Sequence, residues 1–140
     1  MISLEDFQAL LARLPYHRWL GLEALSVNED AVEIRAQWRE EWMADPVRRH
    51  THGGILTSLV DAGGDWALVA RMERGVPTIN IHVDYHRPAM PGDLVVRGRV
   101  IKHGRQFSVC EAAVYDLANT LLASGRGTYY TGPLEAKKDS

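Results

Sequence analysis

The sequence has one cysteine, almost no net charge and no hydrophobic run long enough to cross a membrane, and each scarcity removes a class of protein. Cys110 has no partner within the chain, so a disulfide framework is excluded and so is a cysteine-rich zinc site. A reducing compartment is expected. The 16 Lys plus Arg are balanced by 18 Asp plus Glu, for a net charge of -2, whereas nucleic-acid-binding domains carry a strongly basic face. No nucleic-acid partner is expected. Asp61 and Asp65 cut the most apolar stretch short of the roughly 18 residues a membrane helix needs, and the start, Met1 to Asp6, carries two acids where a signal peptide carries Lys or Arg. The reading is therefore no membrane partner and a cytoplasmic location. At 140 residues there is room for one core, since a chain near 150 residues buries about 70% of its unfolded surface. Residues 1–131 are read as a single domain and 132–140 as a flexible tail.

What is present divides by period. Phe7, Leu10, Leu11 and Leu14 recur at helical spacing before Pro15, which predicts a short amphipathic helix over 4–14. Val32, Ile34, Ala36 and Trp38 alternate with Glu33, Arg35 and Gln37, and Asn28-Glu29-Asp30 joins this strand to the segment 20–27 as a hairpin. Residues 39–51 lack a period and read as a loop. From Ile55 to Met72 apolar residues cover most of a helical circumference, more than the single stripe of a surface helix. Such a helix must be wrapped. The wrapper follows in four strands, 78–87, 94–102, 106–116 and 120–131, joined by short connections that predict antiparallel neighbours. In the last of them Ala123, Gly125 and Gly127 share one face and would let the helix approach closely. The fold class is α+β: a long central helix wrapped by a curved antiparallel sheet of about six strands.

Two features carry chemistry. Asp61 and Asp65 are four residues apart on one face of a mostly apolar helix, where a carboxylate needs a partner or a task. Gly53 and Gly54 lie in the first turn, capped by Thr51 or His52, where backbone N–H groups lack intrahelical acceptors and can polarise a carbonyl. Eight residues separate Gly53 from Asp61, about 12 Å along a helix, which an Asp side chain cannot span. If both serve one reaction, two copies of the helix must run antiparallel across a two-fold axis, so a homodimer is expected. Ser and Cys nucleophile schemes lack their motifs. His82 and His86 on one strand are about 13 Å apart, too far to share an ion, and no metal is expected.

The set His52-Gly53-Gly54, Asp61 nine positions after the His, the strand end Asp84-Tyr85-His86-Arg87-Pro88-Ala89 and the Pro91-Gly92-Asp93 turn resembles the hotdog-fold acyl-CoA thioesterases of the phenylacetate-pathway, PaaI-like type. The resemblance covers roughly residues 15–131. It implies dimers that pair into tetramers, active sites at the dimer interface, and hydrolysis of an acyl- or aryl-acyl-CoA to free acid and CoA. It gives the Gly53 amide as carbonyl polariser and Asp61 as general base or nucleophile, with Thr78 placing the water or the acid. His52 belongs to the motif, and Asp65, on the face of Asp61, is a further catalytic candidate. No cofactor is implied, coenzyme A being part of the substrate. One departure stands out: where many relatives have an Asn six residues before the motif His, this chain has Pro46, leaving Asp45, His50 or His52 to take its role.

Phosphates of coenzyme A need cations. His86, Arg87, Lys102, His103 and Arg105 fall at strand ends or turns, with Gly54 as a further substrate contact. The alternative to an enzyme is an acyl-CoA-binding or sensing hotdog protein without turnover, for which Pro46 is the motive. A hotdog hydratase is a weaker rival, because it pairs a catalytic His with an acid in a different motif.

Overall fold

The computed structural model describes residues 1–135; positions 136–140 of the expected tail lie outside the described residues. Ser3 caps α1 (Leu4–Arg13) through its side chain, and Phe7 and Leu11 are the buried face. Pro15 was expected to stop the helical pattern, but it opens a second short helix, α2 (Pro15–Trp19). Proline is suited to a first helical position because the N–H it lacks would be unpaired there.

Strands β1 (Leu22–Val27) and β2 (Ala31–Ala36) form the expected hairpin. Asn28 Oδ1 accepts the N–H groups of Asp30 and Ala31, which tightens the turn. Val32, Ile34 and Ala36 are buried, as the alternation predicts. The segment read as a loop contains a single 3-10 turn, Glu40–Trp42. The long helix α3 spans Gly53–Met72. Strands β3 (Thr78–Tyr85), β4 (Leu94–Lys102), β5 (Phe107–Asp116) and β6 (Leu121–Tyr130) complete one six-stranded, wholly antiparallel sheet in the order β1-β2-β4-β5-β6-β3. This is the hotdog arrangement. Beyond β6, Gly132 is buried and its carbonyl takes the Arg74 guanidinium at 2.7 Å, so the chain stays tied one residue past the expected domain boundary.

The expectation that every short connection joins neighbours fails once. The link from β3 to β4 carries the chain from the sheet edge to a strand three places away. That distance is about 14 Å at 4.8 Å per strand, within reach of the eight linking residues 86–93. Pro88 and Pro91 lack the N–H groups a hairpin ladder would use. The link is instead pinned elsewhere: Thr51 N–H donates to Ala89 O at 2.7 Å, and Asp93 accepts from Trp38 N–H and from Arg35, each at 2.7 Å.

The sheet curls around α3, whose residues Leu59, Val60, Ala67 and Leu68 are fully enclosed. Contact is closest at β4 and β5. A Cβ on Gly98 would fall on the carbonyl of Gly63, and a Cβ on Gly63 would lie 2.7 Å from Val96 Cγ2. Phe7 closes the core by meeting Trp66 edge-on, with ring centroids 5.6 Å apart.

Candidate active site

Asp61 projects from the middle of α3 toward the start of β3. Thr78 Oγ1 donates to Asp61 Oδ1 at 2.9 Å, so the structure brings together two residues singled out from the sequence. Tyr129, on β6, adds a hydroxyl that donates to the same oxygen and to the Asp61 backbone carbonyl, each at 3.3 Å. Burial and the neighbouring Asp61 charge push the Tyr129 phenol well above its ordinary value, so it serves as a donor. Both hydroxyls converge on Oδ1, leaving Oδ2 free to take a proton or to attack a carbonyl.

Tyr129 escaped the sequence reading, although a signal for it exists. Gly127 and Tyr129 face the helix together, and a Cβ at Gly64 would lie 2.5 Å from the Tyr129 hydroxyl, at Gly127 2.8 Å from its ring. The run of small residues on β6 thus makes room for a phenol as well as for the helix. His17 on α2 also escaped notice. Its ring packs 5.4 Å from that of Trp66, burial lowers its pKa, and the Asp61 carboxylate opposes that shift. Its Nδ1 has no partner among the described residues.

Asp65 lies one turn beyond Asp61. Burial, with the Asp61 charge adding, pushes its carboxyl up to about 7, and its buried Oδ1 has no hydrogen-bond partner. Cys110, in the same region, is buried, and its thiol is pushed up to about 12 by burial and then by Asp65. Such a thiol is not a nucleophile at neutral pH.

At the other end of the site, His52 is the helix cap. Its Nδ1 accepts the Gly54 N–H at 2.8 Å, which puts the ring proton on Nε2. That bond takes the Gly54 amide out of play as a ligand donor. The Gly53 N–H has no acceptor among the described residues and is the open donor of the first turn. Tyr85 on β3 donates its hydroxyl to Gly53 O at 3.0 Å and touches the Thr57 hydroxyl. Because α3 is continuous from Gly53 to Met72, Gly53 and Asp61 stand about 12 Å apart along its axis.

The remaining candidates fall in two places. His86 and Arg87 line a groove of about 520 Å³ beside Gly53, together with Arg48 and His50. Lys102 ends β4 and His103 and Arg105 lie in the turn that follows, all three exposed and beside the Thr78 end of the sheet, because Thr78 pairs with Tyr129 and Phe107 with Tyr130. Arg87, at the far end of β3, does not meet them within the chain. Of the residues offered in place of the missing Asn, Asp45 is committed to its own loop, its Oδ1 accepting the Val47 and Arg48 N–H groups, and His52 Nδ1 is committed to the cap. His50 remains.

The chain therefore presents a carboxylate ordered by two hydroxyls at one point and an unclaimed backbone donor at a helix start at another, groups of the kind acyl transfer uses. Residues 49–123 match the family model described as Thioesterase superfamily. A crystal structure of a protein from that superfamily is 45% identical with a TM-score of 0.88, covering 91% of this chain and 96% of its own. The medium/long-chain acyl-CoA thioesterase YigI of Escherichia coli is 20% identical over 85% of this chain and 86% of its length. A phenylacetic acid degradation-related protein from Ralstonia eutropha shares the fold at a TM-score of 0.79 and 22% identity, with 89% and 98% of the two chains covered.

Proposed function

The chain belongs to the thioesterase superfamily, and on that premise we propose that it hydrolyses an acyl- or aryl-acyl-CoA at a site shared by two protomers. Asp61 of one chain acts on a water or on the thioester carbonyl, and the Gly53 N–H of the other polarises that carbonyl. The observation that carries this reading is the pair of hydroxyls, Thr78 and Tyr129, ordering Asp61, together with the open Gly53 amide 12 Å away, at about 1.5 Å per residue.

In the general-base route Asp61 Oδ2 takes a proton from water as the water oxygen bonds to the carbonyl carbon. The resulting oxyanion is held by the Gly53 N–H and the positive end of α3. Collapse of the tetrahedral intermediate breaks the C–S bond and releases the acid, and the thiolate of coenzyme A leaves with the proton Asp61 held.

The dimer has a ready seam. Among the described residues β3 pairs only with β6 and forms one edge of the sheet, with Ile79 and Tyr85 each 54% exposed. A long exposed edge is a template for pairing with another strand. Two copies joined antiparallel along β3 set the Thr78 end of one beside the Tyr85 end of the other, and so Asp61 near the partner's helix start. The same pairing brings the 102–105 turn to the end of the sheet occupied by Arg87 from the second copy.

Asp61→Asn is the test: release of free thiol from acyl-CoA is expected to fall at least a hundredfold while light scattering gives an unchanged oligomer, and retained turnover would overturn the assignment. Pro46 supports a second reading, an acyl-CoA-binding protein without turnover, because it offers no side-chain hydrogen bond to a water. Tight binding of acyl-CoA by the native protein without thiol release would select it.

A further inference from the structure

A helix that starts on two glycines is a loose mount for a backbone donor, because neither Gly53 nor Gly54 has a side chain to restrict its peptide planes. Two bonds hold the plane between them. At one end the Gly54 N–H donates to His52 Nδ1 at 2.8 Å. At the other the Gly53 carbonyl takes the Tyr85 hydroxyl at 3.0 Å. The Gly53 N–H lies in the preceding plane, whose carbonyl, His52 O, accepts from Ile55 N–H at 3.0 Å. That bond closes on Ile55 only while the Gly53–Gly54 plane keeps its orientation, so release of the second plane releases the first.

Tyr85 has one proton to give. A carbonyl only accepts, so the proton goes to Gly53 O, and the Thr57 hydroxyl, which touches the same phenol oxygen, is left to donate to it. The ring supports the turn as well, since a Cβ on Gly53 would lie 3.3 Å from Tyr85 Cε1. Tyr85 ends β3 and pairs with Ala123, so the support comes from the sheet, not from a loop. Phenol, peptide unit and imidazole form one chain of hydrogen bonds running from Tyr85 to His52, in which each bond polarises the next.

We infer that Tyr85 is a positioning residue for the proposed hydrolysis: through the Gly53 carbonyl it holds the first turn of α3, and with it the Gly53 N–H, in the orientation that meets the thioester carbonyl. The inference rests on the thioesterase reading for the task of that N–H. A donor aligned before the substrate arrives needs no reorganisation during the reaction, whereas a displacement of about 1 Å at such a group costs about a hundredfold in rate.

Tyr85→Phe keeps the ring and removes the hydroxyl bond at a half-exposed position, so melting temperature and light scattering are expected to stay native. Two readouts then separate the hold from its consequence. Nitrogen NMR of the His52 ring in mildly alkaline solution is expected to show one tautomer in the native protein, with the proton on Nε2, and a mixture in the variant, where the Gly54 N–H no longer stays on Nδ1. With acyl-CoA, kcat is expected to fall about tenfold or more with KM unchanged. An unaltered His52 signal overturns the inference. A loosened ring with native kcat does so too, as does a loss carried by KM alone, which marks lost uniform binding and not a misaligned donor. If the native protein releases no thiol, the hydrolytic reading falls separately, and affinity decides the role of Tyr85. Weaker binding of acyl-CoA, but not of free CoA, by the variant keeps Tyr85 as the residue that positions the carbonyl donor; equal binding of acyl-CoA overturns it.

Discussion

Asp65 shows how a single carboxyl can set the pH response of the molecule. Its folded value, about 7, lies above the ordinary carboxylate range because burial and then the Asp61 charge disfavour ionisation. Between that range and pH 7 the folded protein holds a proton that the unfolded chain has released. Stability therefore falls as pH rises through this window, and the loss is complete above it. Asp65→Asn mimics the protonated form without the ionisable group. Its melting temperature relative to native is expected to climb between pH 4 and pH 8 and then level, a change worth up to about 4 kcal/mol. A gap that stays constant with pH would show that Asp65 is not held above its usual value. At this scale the sequence reveals residues whose types are unusual for their setting: an acid on an apolar helix, glycines at a helix start, a hydroxyl opening a strand. Tyr129 and His17 stayed hidden because each is an ordinary core or surface type where it occurs, and only the folding of distant segments bonds Tyr129 to Asp61 and brings His17 under the influence of its charge.

The elements were legible where one period runs for eight residues or more. α3 and β4 to β6 fall within a residue or two of their expected bounds. The β3–β4 link misled because its length fits a hairpin, and nothing local reveals that β6 outcompetes β4 for β3. Pairing partners are a property of the sheet, not of the connection. The crossing of α3 over β4 leaves no room for a side chain, because Gly63 and Gly98 meet there backbone to backbone. Gly98→Ala is expected to lower stability by about 3 kcal/mol, since the new methyl meets backbone that cannot turn aside. Gly75→Ala is the control, because a Cβ there meets nothing within 4 Å; chemical denaturation of the two variants should separate them clearly.

For the whole molecule, the sequence carried the dimer argument through a reach calculation, and the continuous α3 retains the separation on which it stands. The proposed seam was not readable, since which strand forms an edge depends on the topology. Complementation tests the shared site. Gly53 occupies the first helical position, so Gly53→Pro removes the open N–H in a place proline tolerates. Gly53→Pro and Asp61→Asn should each be inactive alone. Coexpressed, half of the dimers are mixed and each holds one intact site, so about a quarter of native thiol release should return. No recovery would place both groups within one chain's site.

The β3–β4 crossover also orders events in time. β3 leaves the ribosome well before β6, its partner in the sheet, and the paired residues lie 38 (Tyr85 to Ala123) to 51 (Thr78 to Tyr129) positions apart in the chain. Pairings of such long range close late. Throughout synthesis β3 is unpaired on both sides, and pairing with another nascent chain before β6 arrives would trap a misassembled product. Chains that meet only after release escape this hazard, so slowing translation after β3 should raise aggregation, while slowing it before β3 should not.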